Sequence, residues 1–455
     1  MTGLLALAPE FIVLGGALVA LFADRVTRDE RLAPGLASLS ALAAAVVAAY
    51  IGPAGALFDG ALAIDPSAVF ARIAIAALAG VWLAWVTGRG TGVERPAEAA
   101  AFALVSALGG MLMVGARDLI VLFISLELST MPAYVMMGYR RADERGLEGA
   151  LKYFLLSMLT SLLMLYGLSF IYGLAGSTAY AHLALGAGGL LRPLAFVLVL
   201  VGLFAKLSAA PFHYWTPDAY AGASPAAVAF VSTVPKIAGT VAFVRLVDAL
   251  APGVGDALYV LVAASVLSML LGNLAAFPQS DLRRLMAYSG VAHTGYILLA
   301  LASGAAGGIA ATFYAVAYAV PSMAIMLLAA EEGASLDDLG GLAARRPAVA
   351  WASVVWLLSL IGIPPMVGFF GKLYLFTSAV SADLLWPVLV AVTMSVISAG
   401  YYFRILRSVF FAERPDAPSI APSPVAAVAL FAATVGVLAL GILAAPLLRL
   451  LGVSY

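Results

Sequence analysis

The stretch FAKLSAAPFHYWTPDAYAGASPAAVAFVSTVPKIAGT, residues 204–240, decides the class of fold. It is apolar over most of its length, yet it contains Lys206 and Lys236, each close to a proline. The chain has two other lysines, Lys152 and Lys372, and both also interrupt apolar segments. Arginine keeps its proton because its pKa lies above ~12, whereas a buried lysine can lose one. The pattern predicts titratable groups placed inside an apolar interior.

The composition of the whole chain is that of a membrane protein. Hydrophobic residues make up 64% of the 455 residues and charged residues 11%, against ~45–50% and ~25% in a soluble domain. Apolar runs of about twenty residues recur and are long enough to cross a hydrocarbon core of ~30 Å. The formal net charge is zero, so nothing indicates a nucleic-acid partner. Residues 1–22 contain no cation and predict a span rather than a cleavable signal peptide.

The absence of cysteine excludes iron–sulfur clusters, thiolate zinc sites, c-type haem and disulfides in this polypeptide. A bis-histidine haem would need two of the three histidines, His182, His213 and His293, to face each other across one pocket. No glycine-rich nucleotide-binding fingerprint follows a strand pattern. We therefore expect no cofactor, no metal and no redox chemistry in this chain.

Apolar runs bounded by charges, proline and glycine predict an all-α integral membrane protein of about fourteen spans. Their approximate limits are 3–24, 31–52, 65–87, 98–115, 118–139, 148–173, 192–218, 222–247, 256–277, 284–303, 305–330, 349–379, 384–410 and 424–450. The segment 177–190 is too short to span and is expected to lie along a surface.

The arginines orient these spans. Fifteen arginines lie in loops after odd-numbered spans and five lie on the opposite side, so the positive-inside rule places the first group in the cytoplasm. Both termini are then predicted on the outer side of a cell inner membrane. The fifteen are Arg25, Arg28, Arg31, Arg89, Arg95, Arg140, Arg141, Arg145, Arg283, Arg284, Arg345, Arg346, Arg404, Arg407 and Arg414.

Depth in the membrane separates anchors from candidate functional groups. At ~1.5 Å per residue, Lys206, Lys236 and Lys372 lie ~16–21 Å from the ends of their spans. A lysine near mid-membrane cannot reach water, so a functional role is favoured for these three. Lys152 is only ~10 Å from Arg145, and both an interfacial anchor and a functional group remain open for it.

Glu127 is the one carboxylate predicted deep in a span. It can be ionised if it lies near a lysine, and a static structural ion pair is the alternative. Pro211 follows Lys206 in the seventh span, and Pro364 precedes Lys372 in the twelfth. Because proline removes a backbone donor, helices 7 and 12 are predicted to be broken near these lysines, which is typical of ion paths.

Histidine and tyrosine supply possible relay groups. His213 follows Lys206 by seven residues, and whether the two share a face stays open. His293 and Tyr288 belong to a polar stripe in the tenth span. Such groups can relay protons or simply satisfy each other. His182 lies in the predicted surface segment and is interpreted as incidental.

A repeated spacing indicates an internal duplication. Glu127 and Lys206 are 79 residues apart, as are His293 and Lys372. A shift of 166 residues (372 minus 206) lays spans 4–8 on spans 9–13. Five spans per unit is an odd number, so the second unit is expected to be inverted. The predicted domains are the first three spans, two repeats and the last helix: residues 1–97, 98–247, 256–410 and 424–455.

Specific motifs then connect the chain to a known family. They are residues 204–240 quoted above, DLIVLFISLELSTMPAYVMMGY at 118–139, QSDLRRLMAYSGVAHTGYILLAL at 279–301 and GIPPMVGFFGKLYLF at 362–376. The chain resembles the antiporter-like proton-channel subunits of complex I, the bacterial NADH:quinone oxidoreductase. The resemblance runs from about Pro9 to Phe411, and KLS, PFHYWTPD and VPKIAG are closer to its N-type subunits than to types L and M.

The resemblance implies roles for individual residues. Glu127 and Lys206 would form a coupled pair that Lys152 modulates. Lys236 would connect the two halves, and Lys372 would lead to the outer side. The chain would be a non-redox subunit of a proton-translocating translocase, with membrane lipid and the other complex I subunits, above all the antiporter-like neighbours, as partners. NADH, flavin, iron–sulfur clusters and quinone are expected in those partner subunits.

One departure and several alternatives accompany this hypothesis. The family often has lysine before arginine at the start of the tenth helix, where this chain has Arg283 and Arg284, so a relay starting there is in doubt. A subunit of a cation/proton antiporter would share the fold and the lysines, and a quinone reductase with another electron donor would too. If the chain were a stand-alone transporter, we would expect one polar solute pocket near the middle of the membrane. The sequence instead has titratable groups distributed over many spans.

Overall fold

The computed structural model of the chain describes residues 2–26, 29–89, 95–139, 144–183, 189–254, 259–414 and 423–452. Within these ranges the chain is mainly α-helical, with one short two-stranded hairpin. Large apolar side chains such as Leu39 and Val46 remain exposed on the outer faces of the helices. An apolar exterior is what a hydrocarbon solvent requires, because lipid cannot satisfy exposed polar groups. The predicted all-α membrane fold is therefore confirmed.

The first part of the described chain consists of seven helices and one hairpin. Their bounds are α1 (Thr2–Leu5), α2 (Ala8–Val26), α3 (Leu32–Ile51), α4 (Pro66–Arg89), α5 (Pro96–Met113), α6 (Leu119–Met137) and α7 (Glu144–Ala175). Strands β1 (Gly55–Leu57) and β2 (Leu62–Ile64) form an antiparallel hairpin between α3 and α4. A 3-10 turn, Tyr180–His182, lies in the predicted surface segment, of which residues 184–188 are outside the described ranges.

The second part contains the broken spans and the terminal helices. The bounds are α8 (Leu191–Leu207), α9 (Trp215–Gly222), α10 (Pro225–Val231), α11 (Val234–Val254), α12 (Tyr259–Ala276), α13 (Leu282–Leu301), α14 (Ala305–Glu332), α15 (Leu342–Arg345), α16 (Pro347–Ile361), α17 (Val367–Ser381), α18 (Leu385–Phe411), α19 (Pro424–Ile442) and α20 (Ala444–Leu450). A second 3-10 turn spans Leu336–Leu339. Ten helices in the described part of the chain are long and apolar enough to cross a membrane.

The predicted seventh span is divided directly after its lysine. Lys206 lies in the last turn of α8, which ends at Leu207. Ser208 then adopts a left-handed backbone conformation with φ of 63°, and the chain resumes as α9 at Trp215. The break predicted from the prolines is present, and it leaves the last carbonyl groups of α8 without intrahelical partners.

The twelfth span is also broken, but on the other side of its lysine. α16 ends at Ile361, Gly362 has φ of 93°, and α17 begins at Val367. Lys372 lies in the second turn of α17, after the break, whereas Lys206 lies before its break. The shift of 166 residues therefore does not align the two breaks. The internal duplication inferred from this spacing stays a prediction.

The arginines assigned to opposite sides lie at opposite ends of the bundle. At one end of α4, Asp65 accepts hydrogen bonds from Arg245 at 2.8 Å and Arg117 at 3.2 Å. At the other end of α4, Arg89 binds Glu331 at 2.9 Å. Three members of the larger group, Arg28, Arg140 and Arg141, lie outside the described residues, and the side chains of Arg25 and Arg145 are not described.

Two buried glutamates hold the arginine-rich end together. Glu331 accepts hydrogen bonds from Arg89 at 2.9 Å and Arg346 at 2.6 Å. Glu332 accepts from Arg345 at 2.9 Å and Arg346 at 2.9 Å. The carboxylate side chains are 0% exposed. This cluster joins the ends of α4, α14 and α15 to the start of α16.

We expect Glu331→Gln to destabilise the protein. The substitution removes the charge that compensates Arg89 and leaves part of a buried ion cluster unpaired, a change that costs ~3–5 kcal/mol in comparable sites. Thermal unfolding of the detergent-solubilised assembly should show a lower midpoint than wild type. Glu30→Gln at an exposed position is the control, and equal midpoints for the two variants would contradict the prediction.

A second buried ion pair joins α2 to α4. Arg72 Nε donates to Glu10 Oε1 at 2.7 Å, and its Nη2 donates to the Ala6 carbonyl at 2.9 Å. Glu10 is 5% exposed and Arg72 is 1% exposed. Burial of charge is thus not confined to residues near the middle of a span.

Candidate functional site

Lys206 lies at the end of a half-helix and is held by a hydroxyl group. A cation in the last turn of α8 interacts favourably with the helix dipole. Its Nζ donates to Thr130 Oγ1 of α6, and Thr130 donates to the Leu126 carbonyl at 2.6 Å. The lysine stem crosses Gly239 of α11, where an added Cβ would lie 3.1 Å from the lysine Cγ. The ammonium group is therefore fixed between α6 and α11.

Glu127 is not the direct partner of Lys206. Both of its carboxylate oxygens are buried, and neither has a hydrogen-bond partner in the described structure. Thr130 lies three residues further along α6, on the same face, and takes the hydrogen bond of the lysine instead. The expected Glu127–Lys206 pair is thus an interaction through space rather than a contact ion pair. Thr130 is a site residue that the sequence reasoning missed.

Thr294 connects the end of α8 to Lys236. Its Oγ1 donates to the Leu207 carbonyl at 2.6 Å and lies 3.4 Å from Lys236 Nζ. Lys236 also donates to the Gly290 carbonyl at 3.2 Å and is 5% exposed. Because Leu207 follows Lys206 in the chain, one hydroxyl links the backbone beside the first lysine to the side chain of the second.

His293 is bonded through both ring nitrogens to tyrosine hydroxyls. Nδ1 lies 2.7 Å from Tyr314 Oη, and Nε2 lies 3.1 Å from Tyr402 Oη. Tyr402 Oη in turn lies 2.6 Å from Ser289 Oγ. Hydroxyls donate and accept, so this arrangement accommodates either imidazole tautomer. The group can take up a proton at one nitrogen and release one at the other.

Lys372 caps the broken end of α16. Its Nζ donates to the Leu360 carbonyl at 3.0 Å, the Ile361 carbonyl at 2.9 Å and Ser395 Oγ at 2.7 Å. These carbonyls belong to the last turn of α16, so the lysine satisfies groups that the break left free. The dipole of that half-helix also favours the cation.

His293 lies between Lys236 and Lys372, one aromatic ring from each. The Tyr318 ring lies 5.2 Å from Lys236 Nζ and 4.7 Å from the His293 ring. The Tyr296 ring lies 5.2 Å from Lys372 Nζ and 5.6 Å from the His293 ring. Two bases separated by one aromatic ring can exchange a proton if a water molecule or a rotating hydroxyl group bridges the distance between them.

Buried polar atoms without partners identify where water is required. Among the described residues, Glu127, Thr216 Oγ1, Ser232 Oγ and His213 Nδ1 have none. His213 and Thr216 lie at the break between α8 and α9, and Ser232 lies between α10 and α11. Buried polar groups are normally satisfied by protein or by ordered water. The chemistry of these residues therefore favours hydration along the helix breaks, with His213 beside them.

Two predicted site residues lie apart from this row. Lys152 pairs with Glu148 at 2.8 Å and Asp218 at 3.1 Å, and its side chain is 43% exposed. The inference that every lysine lies where a cation is costly is wrong for Lys152, because an exposed cation remains solvated. Asp218 also binds Arg284 at 3.0 Å. Tyr288 makes no hydrogen bond to His293 or to a lysine within the described ranges.

The comparisons with known proteins cover the part of the chain that holds this site. The family described as "NADH:quinone oxidoreductase/Mrp antiporter, TM" matches residues 116–398, which contain every candidate from Glu127 to Lys372. The protein named NADH-quinone oxidoreductase subunit N of Rubrobacter xylanophilus is 38% identical over 429 residues, covering 90% of this chain and 89% of that relative. The chain belongs to the NADH-quinone oxidoreductase subunit N family.

Solved structures show how far the fold of this subunit N family extends. A chain of the respiratory complex I from Thermus thermophilus matches with a TM-score of 0.84 and 31% identity, covering 97% of this chain and 98% of that one. A chain of the Mrp complex from Dietzia sp. DQ12-45-1b matches with a TM-score of 0.85 and 24% identity, covering 99% and 96%. The second likeness concerns the fold alone. The fold alone therefore does not distinguish a subunit of complex I from a subunit of an Mrp complex.

Among the residues that the structure describes, no group of three or more His, Cys, Asp or Glu is arranged to hold an ion. The site residues that sequence reasoning missed are uncharged: Thr130, Tyr314, Tyr318, Ser395 and Tyr402. Only Thr130 had a usable signal, because a hydroxyl three residues after a buried carboxylate shares its helix face.

Gly290→Ala is expected to disturb Lys236 without removing it. An added Cβ would lie 2.9 Å from Tyr318 Oη, which must move, and 3.2 Å from Lys236 Nζ, which must give by a few tenths of an ångström. Misplacement of a reacting group by ~1 Å can cost up to ~100-fold, and we expect proton translocation to fall by roughly tenfold. Proton uptake by energised membrane vesicles measures this. Gly15→Ala, where a Cβ meets nothing within 4 Å, is the control; equal rates for both variants would contradict the prediction.

Proposed function

We propose that this chain is a proton-translocating membrane subunit of a respiratory NADH:quinone oxidoreductase, complex I. The observation that carries the proposal is the row of buried bases from Lys206 through Lys236 and His293 to Lys372. It occurs in a chain whose subunit N relatives reach 38% identity. Bases at intervals across an apolar interior suit proton transfer, and a purely structural role would leave their desolvation uncompensated.

The proposed topology extends the fold described above. The chain would cross the membrane fourteen times, with two inverted five-helix repeats at 98–247 and 256–410 flanked by residues 1–97 and 424–455. One broken span in each proposed repeat, α8–α9 and α16–α17, supports this topology, with the two lysines on opposite sides of their breaks. The arginine-rich end of the bundle would face the cytoplasm, because lysine and arginine concentrate on that side of a bacterial inner membrane. Both termini would lie outside.

The proposed catalytic contribution is that of a non-redox subunit. NADH, flavin, iron–sulfur clusters and quinone would be held by partner subunits, which is consistent with a chain that has no cysteine. The partners would be the other membrane and peripheral subunits of complex I, with membrane lipid around them. Electron transfer would then reach this chain only as a change of charge or conformation at its edge.

The proposed mechanism begins at Glu127. A charge approaching its unpartnered carboxylate would change the affinity of Lys206 for its proton, with Thr130 holding the lysine in the starting position. The proton would pass by way of Thr294 and water to Lys236. From Lys236 it would reach His293 and then Lys372. Lys152 would act from outside this row, through Asp218 at the mouth of the broken seventh helix.

The test is the variant Glu127→Gln in the assembled complex. The substitution keeps the shape of the side chain and removes its charge. We therefore expect the proton translocation that this chain carries, coupled to NADH oxidation, to fall by at least ~100-fold. A loss of this size is typical when an electrostatic contribution is removed. Proton uptake into inverted vesicles, divided by NADH oxidised, measures this. Glu144→Gln at an exposed position is the matched control. Full pumping by Glu127→Gln would reject the proposal.

Co-purification separates this proposal from the antiporter alternative. Isolation of the chain from native membranes should yield flavin- and iron–sulfur-containing subunits. Isolation with cation/proton antiporter subunits and without redox partners would favour the alternative, since the Mrp chain shares the fold. Recovery of neither set would favour a stand-alone transporter.

A further inference from the structure

A groove on the outer face of α16 and α18 is lined by aromatic side chains around one arginine. It is open to the outside, has a volume of about 530 Å³ and is formed by Trp351, Val354, Phe403, Leu406, Arg407, Phe410 and Phe411. The residues on α18 follow helical spacing, so a single face of that helix forms one wall. Trp351 is 65% exposed and packs edge-on against Phe410, with ring centroids 5.3 Å apart.

Arg407 differs from most of the other described arginines at its end of the bundle. Seven of those are ion-paired with carboxylates: Arg89, Arg95, Arg283, Arg284, Arg345, Arg346 and Arg414. Arg404, one turn away on α18, is held by the backbone carbonyls of Phe277 and Gln279. Arg407 has neither an ion pair nor a side-chain hydrogen bond within the described part of the chain. Its charge is available to an external anion.

The groove lies at the depth of lipid headgroups. α18 has 27 residues and is ~40 Å long, which is ~10 Å more than a hydrocarbon core of ~30 Å. Its last two turns, with Arg407 and Phe410, therefore reach the headgroup region. Trp351 lies in the second turn of α16, close after Arg346, at the level where tryptophan is enriched in membrane proteins.

We propose that this groove binds an anionic phospholipid. The phosphate would bind the guanidinium of Arg407, whose planar fork suits phosphate oxygens. An acyl chain would lie along Trp351, Phe403 and Phe410. A zwitterionic lipid fits the apolar wall equally well but leaves the arginine charge uncompensated. The unpaired cation therefore selects negative headgroups, by about fivefold if one cation contributes ~1 kcal/mol.

The experiment captures the occupant by photo-crosslinking in the assembled complex. The photoreactive residue p-benzoylphenylalanine replaces Phe411, which is 83% exposed, so the substitution leaves the core intact. The complex is reconstituted into vesicles of phosphatidylcholine with roughly a fifth phosphatidylglycerol, which gives the anionic surface that basic groups recognise. Mass spectrometry of the irradiated chain should show a ratio of phosphatidylglycerol to phosphatidylcholine adducts about fivefold higher than the ratio of the two lipids in the vesicles.

The control and companion variants decide the outcome. The same photoreactive residue in place of Phe431, which is 67% exposed on α19, should capture lipids in proportion to the vesicle composition. Arg407→Gln should abolish the enrichment, and Arg407→Lys should retain most of it. Arg31→Gln, at an exposed arginine directly before α3, should change nothing. Adducts without enrichment would overturn the proposal, and so would crosslinks to a neighbouring subunit.

Discussion

Lys236→Met is expected to abolish proton translocation through this chain while NADH oxidation with an artificial electron acceptor continues. Methionine fills a similar volume but carries no titratable group, and Lys236 is the base between the first and second halves of the row. Thr294 and Gly290 would keep their mutual hydrogen bond at 2.9 Å. The connection from Lys206 to His293 would therefore be interrupted at one point only.

The same variant separates function from structure. Lys236 makes two long hydrogen bonds, at 3.2 Å and 3.4 Å, and no ion pair in the described part of the chain. Replacing a buried charge by an apolar group of similar size is often neutral or stabilising. The thermal midpoint should stay equal or rise while pumping is lost, as measured on one preparation. A lower midpoint together with retained pumping would assign Lys236 a structural role. Arg449→Met, at an exposed position, controls for loss of a cation.

Lys372→Arg is expected to lose proton translocation although it preserves the positive charge. Arginine can still donate hydrogen bonds to the carbonyls of Leu360 and Ile361 and compensate the dipole of α16. It cannot release its proton at physiological pH, because its pKa stays above ~12. The relay mechanism therefore predicts inactivity, whereas a purely electrostatic anchor predicts activity.

Lys372→Met provides the comparison for that result. It removes both charge and donors, so the two carbonyls lose their partner and we expect a destabilisation of ~1–3 kcal/mol. Proton uptake per NADH and thermal midpoint are measured for both variants. The relay mechanism predicts that Lys372→Arg and Lys372→Met both lose proton translocation and that only Lys372→Met has a lower thermal midpoint. Full pumping by Lys372→Arg would reject it.

Much of the architecture was predictable because a membrane imposes few solutions. Composition and run length identify an all-helical membrane chain, and prolines beside charged residues locate the breaks after Leu207 and Ile361. The three lysines predicted near mid-membrane are all found in contact with backbone or hydroxyl groups of other helices. Their depth followed from simple distances along a helix.

Other features could not be read along one helix. Lys206 donates its hydrogen bond to Thr130 and not, as expected, to Glu127. Which of these two side chains the lysine reaches depends on how α8 packs against α6. Tyr402 meets His293 across 109 residues of sequence, and its hydroxyl is one of many on apolar helices. Lys152 has an apolar neighbourhood in sequence but lies at the surface, because Asp218 in the broken seventh helix binds it there.

The spacing of Lys206 and Lys372 shows why numerical periodicity needs structural support. Equal intervals of 79 residues suggested equivalent positions. The breaks at Ser208 and Gly362 are 154 residues apart (362 minus 208), not 166. Lys206 therefore precedes its break, whereas Lys372 follows its break.

The three contacts of Lys372 have a consequence for how a proton leaves it. A charged ammonium has three hydrogens, which match two carbonyl oxygens and the hydroxyl of Ser395. The neutral amine keeps two hydrogens for the carbonyls and offers a lone pair to the third neighbour. Of the three neighbours only the hydroxyl can turn from acceptor to donor, by a rotation of one hydrogen. This cage thus accommodates both forms of the lysine with every heavy atom in place.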